Sequence, residues 1–316
     1  MKKTITILTI FFLSPFIYAQ ISTTKIVEVK KEIPTSIYDS LQNFLDKDVY
    51  KYIGQELYIK GEPENTRKYW YYKFILDYTK SDTNKSNIYK CGDGYNSKYD
   101  ELFGKYFSVL AVHKHPRAEE AEYVYGNKYY LELKEKQSGD KVYFEYDTEL
   151  SKNSFPFIVV GYFEKVKKRV VGEKFVFCNK ALEDCTDIKT GKPITKNHGE
   201  KWECTDLTVE EKYYSLSMVL KNSLNEKTTI PYDYCFDEYS KGRVYLAKDA
   251  SFYRNKFGTI NWFKVLDGKL AIGFTEEMAL LAWGKPDKIN KASYGSQWVY
   301  ENQYLYFKNG KLISFN

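Results

Sequence analysis

The chain has 316 residues, with 48 basic and 42 acidic side chains, a formal charge of +6, and 18% aromatic residues that include 31 tyrosines. This balance does not indicate a nucleic-acid binder, because the lysines are interleaved with aspartate and glutamate instead of clustering into a basic face. The densest basic run, Lys165, Lys167, Lys168 and Arg169, reads as a solvated strand or turn. The tyrosine excess points to sheet, since the ring covers a pleated surface while the hydroxyl reaches water.

Residues 1–19 have the order of a secretory signal: Lys2 and Lys3, the apolar run Ile5 to Ile17, then Ala19 before Gln20. The run is shorter than the ~20 residues of a spanning helix and is interrupted by Ser14 and Pro15, so cleavage and export are expected. Loss of Lys2 and Lys3 takes the charge from +6 to +4. With Gln20 rather than cysteine after the cleavage point, an N-terminal lipid anchor is not expected. No later segment is long and apolar enough to be transmembrane. Residues 20–50 form a lead-in whose stretch Ser36 to Asp46 is predicted to be a short helix.

Beyond the lead-in the chain repeats itself. Ile53-Gly54, Phe103-Gly104 and Val171-Gly172 are each followed by apolar residues three and five positions after the glycine, the pattern of a turn glycine feeding a half-buried strand. A second element begins at Lys68-Tyr69-Trp70, Lys128-Tyr129-Tyr130 and Lys212-Tyr213-Tyr214. In the last two it continues through polar turns, Gln137 to Asp140 and Lys221 to Asn225, to strands ending at Tyr146-Asp147 and Tyr232-Asp233. Three related β modules are therefore predicted, two over 51–165 and a third with an insertion over 166–245.

From Lys248 to Leu266 the apolar spacing becomes helical, with a break near Gly258. Thr275 is an N-cap residue before Glu276 and Glu277; Met278, Leu281 and Ala282 give one apolar face; Gly284 and Pro286 stop the helix behind Trp283. Three strands follow, over Gln297 to Tyr300, Tyr304 to Phe307 and Lys311 to Phe315, the last two joined by the hairpin pair Asn309-Gly310. The fold class expected is mainly β, with small antiparallel modules followed over 248–316 by an α+β module of helices on a three-stranded meander. Trp298 and Phe307 are expected to face each other on adjacent strands, over Met278 and Leu281.

Chemistry-bearing motifs are absent. There is no Gly-x-Ser-x-Gly elbow, phosphate loop or His-Glu-x-x-His helix, and no cofactor is implied. His113 and His115 lack an acidic or cysteine partner in their motif, and Asp93 to Asn96 with Asp100 does not meet the ligand spacing of a calcium loop. Of Cys91, Cys178, Cys185, Cys204 and Cys235, the pair Cys178 and Cys185 is the candidate disulfide, and an odd thiol remains.

The C-terminal pattern, Gly273-Phe274-Thr275, Trp283-Gly284-Lys285-Pro286, Gln297-Trp298-Val299-Tyr300 and Phe307-Lys308-Asn309-Gly310, resembles the SmpA/OmlA (BamE-like) family. The resemblance covers about residues 250–316 only, and it departs from the family in lacking the lipid-bearing N-terminal cysteine and in the long β region ahead of the module. It implies a non-enzymatic protein that docks other envelope proteins, with Gly273, Thr275, Trp283, Gly284, Pro286, Trp298, Tyr300, Phe307, Asn309 and Gly310 as its structural motif. The alternative expectation, from the aromatic content, is an array of modules that binds glycan or cell wall through exposed rings.

Overall fold

A computed structural model describes residues 37–149, 152–212, 214–236 and 244–316. The predicted signal segment and most of the lead-in lie outside these residues. The fold is mainly β, with 15 strands in three antiparallel sheets among the described residues. None of the described helices is long and apolar enough to cross a membrane.

The first sheet contains β1 (Glu56–Ile59), β2 (Phe74–Ile75), β3 (Tyr106–Lys114), β4 (Lys128–Glu135), β5 (Lys141–Asp147) and β6 (Phe157–Val159), in the order β2-β5-β4-β3-β1-β6. Short helices α1 (Tyr99–Leu102) and α2 (Glu122–Tyr125) lie in its connections. Helix α3 (Val160–Val170) follows directly. The second sheet contains β7 (Lys174–Phe177), β8 (Lys201–Val209), β9 (Leu216–Lys221), β10 (Lys227–Pro231) and β11 (Val244–Leu246), in the order β10-β9-β8-β7-β11, with α4 (Tyr232–Phe236) before β11. One continuous core joins the two sheets, with Leu57, Phe107 and Phe163 from one side and Phe175, Trp202 and Met218 from the other all buried.

These sheets are two copies of one unit. Leu57 pairs with both Phe107 and Val159, and Phe175 pairs with both Trp202 and Leu246, so the last strand of each unit, β6 or β11, returns beside its first. The long strand beside the first, β3 or β8, bulges at the same place in both, between Val109 and Ala111 and between Cys204 and Asp206. Gly54 and Gly172 are equivalent: each has positive φ (78° and 87°), and each donates its N–H across to that bulged strand, to Val109 O at 2.9 Å and Cys204 O at 2.8 Å. The Gly104 motif is not the head of a further module, because its strand β3 pairs with β1 inside the first sheet. The three predicted modules are thus two.

Other expectations are corrected in the same region. Lys128 to Tyr130 opens β4, but Lys68 and Tyr69 belong to a single 3-10 turn, Arg67–Tyr69, and Tyr214 lies in the turn ahead of β9. The described residues of the predicted helix, 37–46, are not helical. They serve the sheet edge instead: Asn43 donates Nδ2 to Phe157 O (2.7 Å) and accepts from Val159 N (2.8 Å), standing where another strand would pair with β6. The basic run lies on α3, where Tyr162, Phe163, Val166 and Val170 are the buried stripe and Lys167 pairs with Asp206 at 2.7 Å.

Among the described residues no bridge joins Cys178 to Cys185. Their positions explain it. Cys178 follows β7, beside the β11 edge, whereas Cys185 directs its thiol to Ala181 O (3.8 Å) in a segment that runs to the opposite edge, where Ile188 N donates to Lys227 O of β10. Asp187 completes that attachment by accepting from Lys227 N (2.9 Å) and Thr190 N (2.8 Å), and Glu226 accepts from Asn222 Nδ2 (2.7 Å) and Thr195 N (2.9 Å). The backbone donor Lys227 holds the Asp187 carboxyl below its usual range, as Asn222 does for Glu226. Depressed folded-state values stabilise the fold above the unfolded carboxyl range of about pH 4, and that stability is lost as pH falls through the folded values. The melting temperature should therefore drop below about pH 4. Asp187→Asn should show a smaller drop in thermal scans across that range.

Helices α5 (Ala247–Phe257), α6 (Thr259–Leu266) and α7 (Glu276–Trp283) then pack on a sheet of β12 (Lys288–Ala292), β13 (Gly295–Tyr300), β14 (Gln303–Lys308) and β15 (Lys311–Phe315). The break at Gly258 is where predicted, at φ 78° between α5 and α6. The meander has a fourth strand, β12, beyond the three predicted; all five of its residues are exposed, so no apolar alternation marks it. The core of this module draws Val176 and Tyr245 from the second unit and so is continuous with it.

Candidate interaction surfaces

The connection from β1 to β3 builds an aromatic surface. Asn96 pins it by donating Nδ2 to Lys68 O (2.9 Å) and Trp70 O (3.3 Å), its backbone bridges Tyr72, and Ser97 N donates to Tyr71 O at 3.0 Å. Tyr71 and Lys73 both take positive φ, 57° and 76°, a conformation costing about 1 kcal/mol or more for residues with side chains. Its effect is to send successive rings in opposite directions. Tyr71 is buried, with its hydroxyl donating to Lys60 O at 2.6 Å and its ring stacked on Tyr99 at 5.3 Å, while Tyr72 between the two strained residues points outward.

Tyr69, Tyr72 and Tyr95 are 68%, 42% and 60% exposed on this surface. A lysine ammonium lies over each ring: Lys68 at 4.6 Å from the Tyr69 centroid, Lys73 at 5.6 Å from Tyr72 and Lys85 at 5.9 Å from Tyr95. Behind Tyr72, a small cleft is lined by Trp70, Lys73, Phe144, Ser154 and Pro156, and the buried Trp70 indole N–H has no acceptor among the described residues. The sequence signals this surface only through Lys68-Tyr69-Trp70, whose pattern reads as the start of a strand.

The histidines are engaged in packing. His113 Nε2 lies 2.7 Å from Glu132, which also binds Lys141 at 2.7 Å, and its ring stacks on Tyr78 at 4.7 Å. His115 stacks on Tyr125 at 4.1 Å, and burial lowers its pKa. His198 joins the second unit to the C-terminal module through Asp267 (3.1 Å) and the Phe263 ring (4.2 Å). Asp93 is exposed, and its carbonyl accepts from Lys85 Nζ at 2.9 Å. Among the described residues, no three His, Cys, Asp or Glu side chains gather where a metal could be held.

The motif residues of the C-terminal module each have a structural task. Thr275 Oγ1 accepts from Met278 N at 3.1 Å, capping α7; Thr275→Ala should lower stability by about 1 kcal/mol in denaturant titration. Gly284 closes α7 at φ 81°, and Pro286 is buried beyond it. Trp283 donates its indole N–H to Gly268 O (2.8 Å) and meets Tyr300 edge-on at 5.4 Å, while Tyr300 donates its hydroxyl to Gly284 O at 2.8 Å. Asn309 and Gly310 take φ 51° and 70°, as a two-residue hairpin loop requires. Trp298 and Phe307 are buried with centroids 4.8 Å apart, but they are diagonal neighbours: Leu305 lies directly opposite Trp298, and Ser296 opposite Phe307.

The two edges of this sheet differ. β15 is covered at one end, since Gly273 N donates to Leu312 O (2.8 Å), Leu312 N donates to Phe274 O (2.7 Å) and Thr275 bridges Lys311. Among the described residues, β12 is paired with β13 alone. The sheet face away from the helices carries a ladder in which Asn290 Nδ2 donates to Gln297 Oε1 (2.9 Å) and Gln297 Nε2 to the Tyr306 hydroxyl (3.1 Å).

No family model, curated protein or solved structure matches this chain.

Proposed function

We propose that this chain is an exported, non-catalytic envelope protein that acts by docking other envelope proteins through its C-terminal module. The observation that carries this reading is the open edge of β12, a strand whose five residues are all exposed and whose far side has no pairing strand among the described residues. Such an edge accepts an added strand from a partner, with main-chain hydrogen bonds supplying affinity. Lys288 and Lys291 on the same strand oppose indiscriminate self-association. The resemblance of residues 250–316 to the SmpA/OmlA family supports the same role.

Alternate residues of an edge strand point their N–H inward to the neighbouring strand and outward to solvent. Of Ile289→Pro and Asn290→Pro, the one that removes an outward N–H should keep the wild-type melting temperature yet lose the proteins captured from envelope extract. If every such variant that stays folded captures the same proteins as wild type, the docking reading fails. It also fails if the wild-type chain captures none.

A further inference from the structure

We propose that the tyrosine surface of the first unit is a second binding site, for a polysaccharide bearing carboxylate or sulfate groups. This does not depend on the docking reading and uses a different face of the molecule. The rings of Tyr69, Tyr72 and Tyr95 are exposed on two stretches of the β1 to β3 connection that Asn96 ties together through Lys68 O, Trp70 O and its bridge to Tyr72, with strained residues on either side of Tyr72. Little conformational entropy is then left to lose on binding.

The surroundings choose between ligand classes. Protein interfaces deplete lysine and bury their aromatic anchors among aliphatic side chains. Here a lysine lies over each ring, and Leu76 is the one strongly exposed aliphatic side chain among residues 61–98. Lys73 is already paired with Glu145 at 2.9 Å, which leaves Lys68 and Lys85 as the cations nearest the rings to meet an anion. Flat phenol faces suit the C–H faces of sugar rings, and the ammonium groups beside them suit acidic substituents. A neutral chain would use the rings alone, and single-stranded nucleic acid would stack its bases there.

The test is native gel electrophoresis of the full chain through gels containing polygalacturonate, chondroitin sulfate, dextran or oligo-dT. The two acidic polysaccharides should retard the protein in a salt-sensitive manner, and dextran and oligo-dT should not. The combined variant Tyr69→Ala, Tyr72→Ala and Tyr95→Ala should weaken retention about ten-fold or more. Lys68→Gln with Lys85→Gln should weaken it while leaving the rings in place, and proline variants of β12 should bind as wild type does. All the altered side chains are exposed, so an unchanged thermal melt identifies a folded variant. Absence of retardation by both acidic polymers, equal retardation by dextran or oligo-dT, or undiminished binding by the folded triple variant would overturn the proposal.

Discussion

Replacing Trp298 by alanine should reduce the unfolding free energy by about 3 to 5 kcal/mol, the range for truncating a buried large aromatic. Trp298 is 5% exposed and shares the module core with Leu305, Phe307, Met278 and Ala279, so the vacated volume has no solvent side from which to collapse. The measurement belongs on the full chain, because Val176 and Tyr245 of the second unit complete that core. Denaturant titration gives the size of the loss. A change below about 1 kcal/mol would mean that Trp298 is a surface residue, against its burial here.

Gly61→Ala should be nearly as damaging, for a reason that lies outside its own unit. A Cβ on Gly61 would lie 2.2 Å from Cε1 and 2.4 Å from Cδ1 of Tyr214, well inside contact distance. Tyr214 cannot easily yield. It is 8% exposed, its backbone has φ 52°, its hydroxyl accepts from Arg67 Nη2 at 3.1 Å, and its ring meets Phe103 edge-on at 5.6 Å. The clash should cost about 2 to 3 kcal/mol. Tyr214→Ala alone removes the ring that joins the second unit to the β1 to β3 connection and should cost about 3 to 5 kcal/mol. The two losses should not add: with the ring gone, the methyl group introduced by Gly61→Ala has lost the atoms it struck, so the double variant should match Tyr214→Ala. Full additivity in the double-mutant cycle would show that the two positions do not touch.

The parts of this fold that were legible in sequence are those where local chemistry and burial agree. Thr275, Gly284 and Asn309-Gly310 each demand one backbone conformation, and the structure has it at all of them. Of the two expected strand ends, Tyr146-Asp147 closes β5, whereas Tyr232-Asp233 opens α4 directly after Pro231, the last residue of β10. Gly104 misled because a positive-φ glycine before a strand is needed at any tight entry to a sheet, whether or not a new unit begins. Strand β12 was invisible because Lys288 to Ala292 has no buried face. Helix α3 could have been found from Tyr162, Phe163, Val166 and Val170, whose spacing is helical, but the lysines between them drew attention to charge. The tyrosine surface depends on Asn96 reaching back to Lys68 and Trp70, contacts that no spacing rule anticipates. Nor does a ring's identity tell whether it will cover a sheet, as Tyr71 helps to do, or face outward like its neighbour Tyr72.

Helix α3 closes one unit and opens the next, and this shapes how the chain can fold as it leaves the ribosome. Leu57 receives its second partner, Val159, only after the intervening strands have emerged, and the helix that follows is at once the lead-in to β7. The first unit therefore matures late in its own synthesis, at the moment when its successor begins. Nascent chains arrested just before β6 should be protease-sensitive throughout, whereas those arrested after α3 should yield one protected block. Gene breakpoints inside 160–170 should be unproductive, since each fragment would keep its strands but only part of the helix whose Tyr162, Phe163, Val166 and Val170 fill the core that the two sheets share.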